Sequence, residues 1–312
     1  MTILITGSSG FSGRALIQLL INQSEQDIIG IARGRQPVDR EQNCVSFIAC
    51  DLLDAPRVKD VIADAHPDTI VHLAGLNRDG RRDDFFAVNV TGTRNLLEAA
   101  RLSNPSCRIL IVSSSAVYGY AGQKPINEET PAKPIGDYGE SKAAQEEVVM
   151  AEYRNYDTQI TIARSFNLVG PGQVGSYVVA QIIPQIIEIE RGERKTLTLN
   201  ETRSCRDFID IRDVVRAYHT LVSHPNFGHV CAGKIFNIAS GTAYAVSDVI
   251  SLIQEITNKK YIVSLPENPP VVPIPFQQGD ISRMQKVTGW QPEISLKQSL
   301  EDMIIAERSK KD

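Results

Sequence analysis

The feature that most constrains this chain is a series of short β-branched runs, residues 2–6, 27–32, 45–50, 69–73 and 108–113, that are apolar on both faces. A strand with one wet face alternates apolar with polar residues, whereas strands apolar on both faces must be covered on both. Amphipathic segments lie between them, such as 14–21 and 85–102. In the second, Phe86, Val90, Leu97 and Ala100 recur at steps of four, seven and three, which predicts one continuous helix with those four on its buried face. Strands and helices alternating in this way predict an α/β fold built on a doubly wound parallel sheet.

The alternation continues through a helix at 140–153 and a strand at 159–165, then loosens after Gly170-Pro171-Gly172. Helices are expected at 178–190, 211–221, 247–257 and 296–304, and strands at 196–199 and 235–238. Residues 266–275 hold five prolines and exclude a helix or central strand there. With 312 residues against ~100–200 for a typical domain, we expect two lobes. Residues 1–169 form the first, with returns around 210–240; residues 170–312 form a smaller, interleaved α/β lobe for substrate.

Charge is balanced, with 33 basic against 37 acidic side chains and a net charge of −4. That lacks the basic field of a nucleic-acid or anionic-membrane binder. No apolar run approaches the ~18 residues of a membrane span, and the N-terminus shows no signal-peptide pattern. The five cysteines form no Cys-x-x-Cys pair and read as free thiols in a reducing cytoplasm. The five histidines have no ligand spacing, so no metal is expected.

After the first strand comes Gly7-Ser8-Ser9-Gly10-Phe11-Ser12-Gly13. Glycines at this spacing, opening a helix, permit a tight turn and close approach of a pyrophosphate to the helix N-terminus; this is the Rossmann dinucleotide loop. An NAD site would carry Asp or Glu at the end of strand two to hold the ribose hydroxyls. This chain has Ala32-Arg33-Gly34-Arg35 there. A guanidinium suits a 2′-phosphate that a carboxylate would repel, so NADP(H) is expected, held by Arg33 first and Arg35 second. Asp51-Leu52, after strand three, is placed to meet the adenine, or equally to serve as a loop or helix-capping aspartate.

Strand five ends in a serine cluster, Ser113-Ser114-Ser115, and Tyr138 stands four residues before Lys142 at the opening of a helix. Both side chains then project from one helix face. A phenol titrating near ~10 is a poor acid at neutral pH. An ammonium beside it would lower that value, and a serine hydroxyl would orient a carbonyl, a set suited to hydride transfer. The alternating charges of residues 78–84 read as a solvated loop.

These pieces, with His72-Leu73-Ala74-Gly75, Val88-Asn89-Val90-x-Gly92-Thr93 and Val117-Tyr118-Gly119, resemble the extended short-chain dehydrogenases/reductases, the NAD-dependent epimerase/dehydratase family acting on nucleotide sugars. Arg164–Gln173, Cys205–Tyr218, Phe236–Gly241 and Thr288–Pro292 resemble the branch that reduces GDP-4-keto-6-deoxymannose, and its dehydratase relatives. The resemblance implies catalysis by Ser114, Tyr138 and Lys142. It implies cofactor contacts from Gly7, Ser9, Gly10, Phe11, Ser12, Gly13, Asp51, Leu52, Leu73, Ala74, Gly75, Asn89 and Phe166, besides Tyr138 and Lys142. Ser114 and Ser115 would face the sugar, with Gln173 also on the substrate; Asn167 and Arg206 would meet its phosphates.

Family dehydratases carry an acidic residue just after the catalytic Ser/Thr, where this chain has Ser115 and Ala116. Net reduction of a 4-keto sugar by NADPH is therefore the expected reaction. A 4-epimerase using bound NAD(P) is the alternative, and a non-catalytic NADP(H) sensor a remote third. The nucleotide base is left open. Pairing of the helices at 85–102 and 140–153 into a four-helix bundle would make a homodimer, as in relatives.

Overall fold

The computed structural model describes residues 1–23, 27–34, 45–78, 80–175 and 177–310. Along the chain run β1 (Thr2–Thr6), α1 (Phe11–Asn22), β2 (Asp27–Ala32), β3 (Val45–Ala49), α2 (Ala55–Ala65) and β4 (Thr69–His72). Then α3 (Arg82–Phe86) passes through a π-helical turn, Ala87–Thr91, into α4 (Gly92–Ser103). Next come β5 (Arg108–Ser114), α5 (Gly136–Tyr156), β6 (Ile160–Ser165), β7 (Asn167–Val169), α6 (Val178–Glu190), β8 (Leu197–Thr198) and β9 (Cys205–Asp210). The chain ends with α7 (Ile211–Val222), α8 (Phe227–Val230), β10 (Ile235–Ile238), β11 (Ala243–Ala245), α9 (Val246–Thr257), β12 (Val263–Ser264), β13 (Phe276–Gln277), α10 (Ser282–Thr288) and α11 (Leu296–Arg308).

Seven strands form one parallel sheet in the order β10-β6-β5-β4-β1-β2-β3. Alternate residues of single strands enter opposite cores. Ile3, Ile5, Val71 and Leu110 pack with α1 and α7 through Leu16, Leu20, Val214 and Tyr218. Leu4, Ile70, Ile109 and Ile111 pack with α2, α4 and α5 through Val58, Ile62, Leu96, Leu97 and Val149. Burial of each such side chain is worth ~1.5–3 kcal/mol, and this two-sided burial makes the runs apolar on both faces.

The single helix expected over 85–102 is interrupted. The π turn inserts a residue, so its two halves do not share one α-helical stripe. Phe85 ahead of it and Asn89 within it are buried, where Phe86 and Val90 were expected, while Leu97 and Ala100 are buried as expected beyond it.

The second small sheet centres on β9, which pairs antiparallel with β11 and parallel with β13 and β7. Buried Asp207 joins its parts. Its carboxylate accepts from the Ser240 amide and hydroxyl (both 2.7 Å), the Gly241 amide (2.9 Å) and the Gly279 amide (3.1 Å). Asp210 caps α7 and accepts from the Ser299 hydroxyl of α11 (2.5 Å). Among the described residues no helix is long and apolar enough to cross a membrane. Cys50, Cys107 and Cys231 are buried thiols and Cys205 is half-buried; Cys44 lies outside the described residues.

Candidate active site

A cleft of about 220 Å³ opens at the carboxyl ends of β1, β2, β3 and β4, where the strand order reverses beside β1. Gly7, Ser9 and Gly10 form one wall, Ala32 and Arg33 another, and Asp51, Leu52, Leu73, Ala74 and Gly75 complete it. Gly7 sits at φ +68°, and a Cβ there would lie 2.7 Å from the Ala74 nitrogen. At Gly13 a Cβ would lie 2.4 Å from the Gly7 carbonyl oxygen, so the loop closes on α1 only with glycine. No side chain caps α1, which leaves its first amides for an anion. This donor set fits a dinucleotide. No carboxylate ends β2, and exposed Arg33 follows it. Asp51 lines the cleft while its Oδ1 accepts from the Leu53 amide (3.0 Å); capping of α2 falls to Asp54. Arg35 lies outside the described residues. Phe11 and Ser12 begin α1 and Gly13 is buried within it; none of the three lines the cleft.

Beneath the cleft a hydrogen-bond chain fixes the loop after β4. The Ala74 amide donates to Thr6 Oγ1 (3.2 Å), which meets His72 Nδ1 (2.7 Å); His72 Nε2 meets Thr93 Oγ1 (2.9 Å). Thr93 spends its one proton on the Asn89 carbonyl (2.7 Å) and accepts from Gln145 Nε2 (2.7 Å). His72 must therefore donate from Nε2 and accept at Nδ1, which fixes it as the neutral Nε2–H tautomer. Burial, with the charge of Lys142, pulls its pKa down to about 3. The side chain of buried Asn89 clamps both backbone groups of Leu76 (2.8 and 2.9 Å) and donates to Ser141 Oγ (2.9 Å).

The catalytic candidates converge at the end of β5. Ser114 accepts from the Ala116 amide (3.1 Å), which leaves its proton for Tyr138 or a substrate oxygen. Lys142 is buried and donates to the Val112 carbonyl (2.7 Å); a Cβ on Gly75 would lie 4.0 Å from its Nζ. The expected lowering of the phenol by that ammonium is not found. Burial pushes Tyr138 up to about 12, opposed by the Ser114 hydrogen bond, while Tyr177 raises it further and Arg78 lowers it. Lys142 itself is pulled down to about 8 by burial, against the charge of Glu146. The two side chains share a helix face, but the ammonium is engaged with the strand.

Segment 78–84 is more than a solvated loop. Arg82 pairs with Asp137 (2.9 Å) and Glu140 (2.5 Å) of α5, and Arg78 stacks over the Tyr177 ring at 4.2 Å. Asn77 donates to the Tyr177 hydroxyl (2.6 Å), which joins the loop after β4 to the start of α6 beside Tyr138. Nothing in residue spacing singles out Tyr177 or Asn77.

The substrate candidates are dispersed. Ser115 is buried with its hydroxyl on Gln277, so the side chain expected to face the sugar is already engaged. Arg206 is the register partner of Gln277 and presents its side chain on the same face. Its guanidinium donates to the Cys205 carbonyl (2.9 Å) and makes no ion pair among the described residues; Asp210 pairs with Arg212 instead. Asn167, two residues past the register partner of Ser114, donates to the Asp207 carbonyl (3.2 Å). Gln173 lines a separate cavity of about 130 Å³ between α6 and α11. Phe166 packs in a core cluster with Tyr118, Ile126 and Ala239.

A model of the NAD dependent epimerase/dehydratase family matches residues 3–239. GDP-6-deoxy-D-mannose reductase of Pseudomonas aeruginosa is 33% identical over 260 residues, covering 80% of this chain and 83% of that one. GDP-6-deoxy-D-talose 4-dehydrogenase of Aggregatibacter actinomycetemcomitans is 30% identical over 295 residues, covering 93% and 92%. The solved structure of RMD from Pseudomonas aeruginosa complexed with NADPH superposes with a TM-score of 0.85 at 28% identity, over 99% of each chain. The glycine loop and the strand order agree with these relationships, and the chain belongs to the NAD-dependent epimerase/dehydratase family.

Proposed function

We propose that this chain uses NADPH to reduce the C4 keto group of a nucleotide-linked 4-keto-6-deoxyhexose, of the GDP-4-keto-6-deoxymannose kind, in deoxysugar biosynthesis. The observation that carries the reading is the company of Tyr138. Ser114, Tyr177 and Arg78 bear on its phenol, and no carboxylate does among the described residues. Dehydration needs a second acid or base at this corner, and Ser115 is held by Gln277. Reduction needs one proton donor.

The cofactor, when bound, supplies the hydride. Tyr138 gives its proton to the sugar O4, the Ser114 hydroxyl donates to that oxygen, and Lys142, held by the Val112 carbonyl, sets its ammonium against the cofactor cleft at Gly75. Arg33 in place of a carboxylate favours NADP(H) over NAD(H), in keeping with the NADPH-bound relative. Arg206, a guanidinium with no ion pair among the described residues, suits the diphosphate of the sugar nucleotide. Residues 1–169 with returns around 210–240 serve the cofactor and 170–312 the nucleotide sugar. We place the enzyme in the cytoplasm as a homodimer through α4 and α5.

The test is nicotinamide absorbance with NADPH or NADH and a panel of nucleotide-linked 4-keto-6-deoxy sugars. Stoichiometric NADPH loss with one of them, abolished in Tyr138→Phe, is the expected result. Silence across the panel while cofactor stays bound would move the reading to a nucleotide-sugar 4-epimerase.

A further inference from the structure

Tyr138, Lys142 and Glu146 stand at steps of four on α5, one row facing β5. Each meets a residue of the strand end: Ser114 bears on Tyr138, the Val112 carbonyl takes Lys142, and Ser113 Oγ donates to Glu146 (2.5 Å). Glu146 is the buried anion of this row. Arg164 on β6 grips it with Nε (3.0 Å) and Nη2 (2.6 Å). Behind that grip the guanidinium lies over the Tyr118 ring at 4.6 Å, and its Nη1 has no hydrogen-bond partner among the described residues. Two cations and one carboxylate thus share a dry corner, and Lys142 has no ion pair of its own among the described residues.

A buried ammonium with a single carbonyl partner loses its proton easily, since only the charged form is penalised by burial. We propose that Glu146 is a positioning residue: its carboxylate, fixed by Arg164 and Ser113 one turn beyond Lys142, keeps that lysine charged where the reaction needs an ammonium. The inference rests on the ketoreductase reading for its kinetic readout. The titratable groups that bear on Lys142 are Glu146 on its own helix and His72 on β4, with the Arg164 guanidinium of β6 behind Glu146. His72 titrates at about 3 and Tyr138 at about 12, so a transition near pH 8 belongs to Lys142. Arg164 acts by holding Glu146.

The experiment is the pH profile of keto-sugar reduction and, in parallel, of NADPH affinity, because Lys142 Nζ lies against the cleft at Gly75. In the unaltered enzyme both fall above about pH 8. Glu146→Gln shifts the falling limb acidward by about one unit, so activity at pH 8 drops about fivefold while activity at pH 6 is kept. Glu146→Asp retains the charge and leaves the limb in place. Should Glu146→Gln not fold, the double variant Glu146→Gln/Arg164→Met, which leaves no unpaired guanidinium, shows a smaller shift in the same direction, because losing Arg164 also lifts a repulsion from Lys142. A uniform loss at every pH with the limb unmoved, or no limb near pH 8 in the unaltered enzyme by either readout, overturns the proposal. If no keto sugar is reduced the ketoreductase reading fails, and the NADPH profile alone decides the role of Glu146.

Discussion

Ser115 and Gln277 are joined by two reciprocal hydrogen bonds across 162 residues of sequence: the serine hydroxyl donates to Oε1 and the glutamine amide donates to the serine carbonyl, each at 2.9 Å. Both residues are buried, so this pair ties the turn after Ser114 to the strand that carries Arg206 as its neighbour. Gln277→Ala strands two buried polar groups and should cost about 1–3 kcal/mol in urea unfolding. It should also raise KM for the sugar nucleotide more than for NADPH, since β13 and its neighbour β9 lie away from the glycine loop. Equal changes in both constants would argue against this coupling.

Gly13→Ala puts a methyl group 2.4 Å from the Gly7 carbonyl, a contact that only backbone movement can relieve. NADPH affinity, followed by cofactor fluorescence, should weaken at least about tenfold, or ~1.4 kcal/mol. Unchanged affinity would show that the loop does not bear the pyrophosphate.

Replacing Ala32 with Asp and Arg33 with Ser rebuilds the ribose-binding carboxylate and removes the cation at the end of β2. A charge-assisted hydrogen bond to phosphate is worth ~1.5–3 kcal/mol, so the ratio of kcat/KM for NADPH over NADH should fall about 10- to 150-fold. A ratio that stays put refutes Arg33 as the phosphate ligand.

His72 gives the fold an acid sensitivity of known sign. Burial and then the charge of Lys142 lower its pKa from 6.5 to about 3, so on acidification the unfolded chain takes up the proton first. Its contribution is complete above the unfolded value and is lost as pH falls from 6.5 toward 3, at ~1.4 kcal/mol per pH unit. The stability difference between the unaltered protein and His72→Gln, taken from urea midpoints, should therefore shrink across that window. A constant difference would mean that the imidazole is not held neutral.

The main sheet was readable because burial on both faces leaves a residue-level mark: Leu4 and Ile5 enter opposite cores, and neither can be polar. The glycine loop and the Tyr138–Lys142 spacing were readable because their chemistry is local in sequence. The second sheet was not. In β9 the run Arg206-Asp207-Phe208-Ile209-Asp210 hides its strand character, since Asp207 and Asp210 are buried by bonding to segments 240–241, 279 and 299. Gln277 was missed for the same reason, because its partner Ser115 lies in another part of the chain. The position of Lys142 was readable and its electrostatics were not: spacing sets the helix face, while burial sets the charge.

The π turn at Ala87–Thr91 has a consequence for chain length. Each residue of a helix advances ~100°, so deleting one here would straighten the segment and swing Phe85 and Asn89 by more than a quarter of a revolution relative to Leu96. Asn89 would then release Leu76 and Ser141, and the ledge from Leu73 to Gly75, still bonded to Thr6, would lose its second anchor at Leu76. Between Arg82 and Ser103 the number of residues is therefore as constrained as their identity. A homologue one residue shorter would need a different anchor for that ledge.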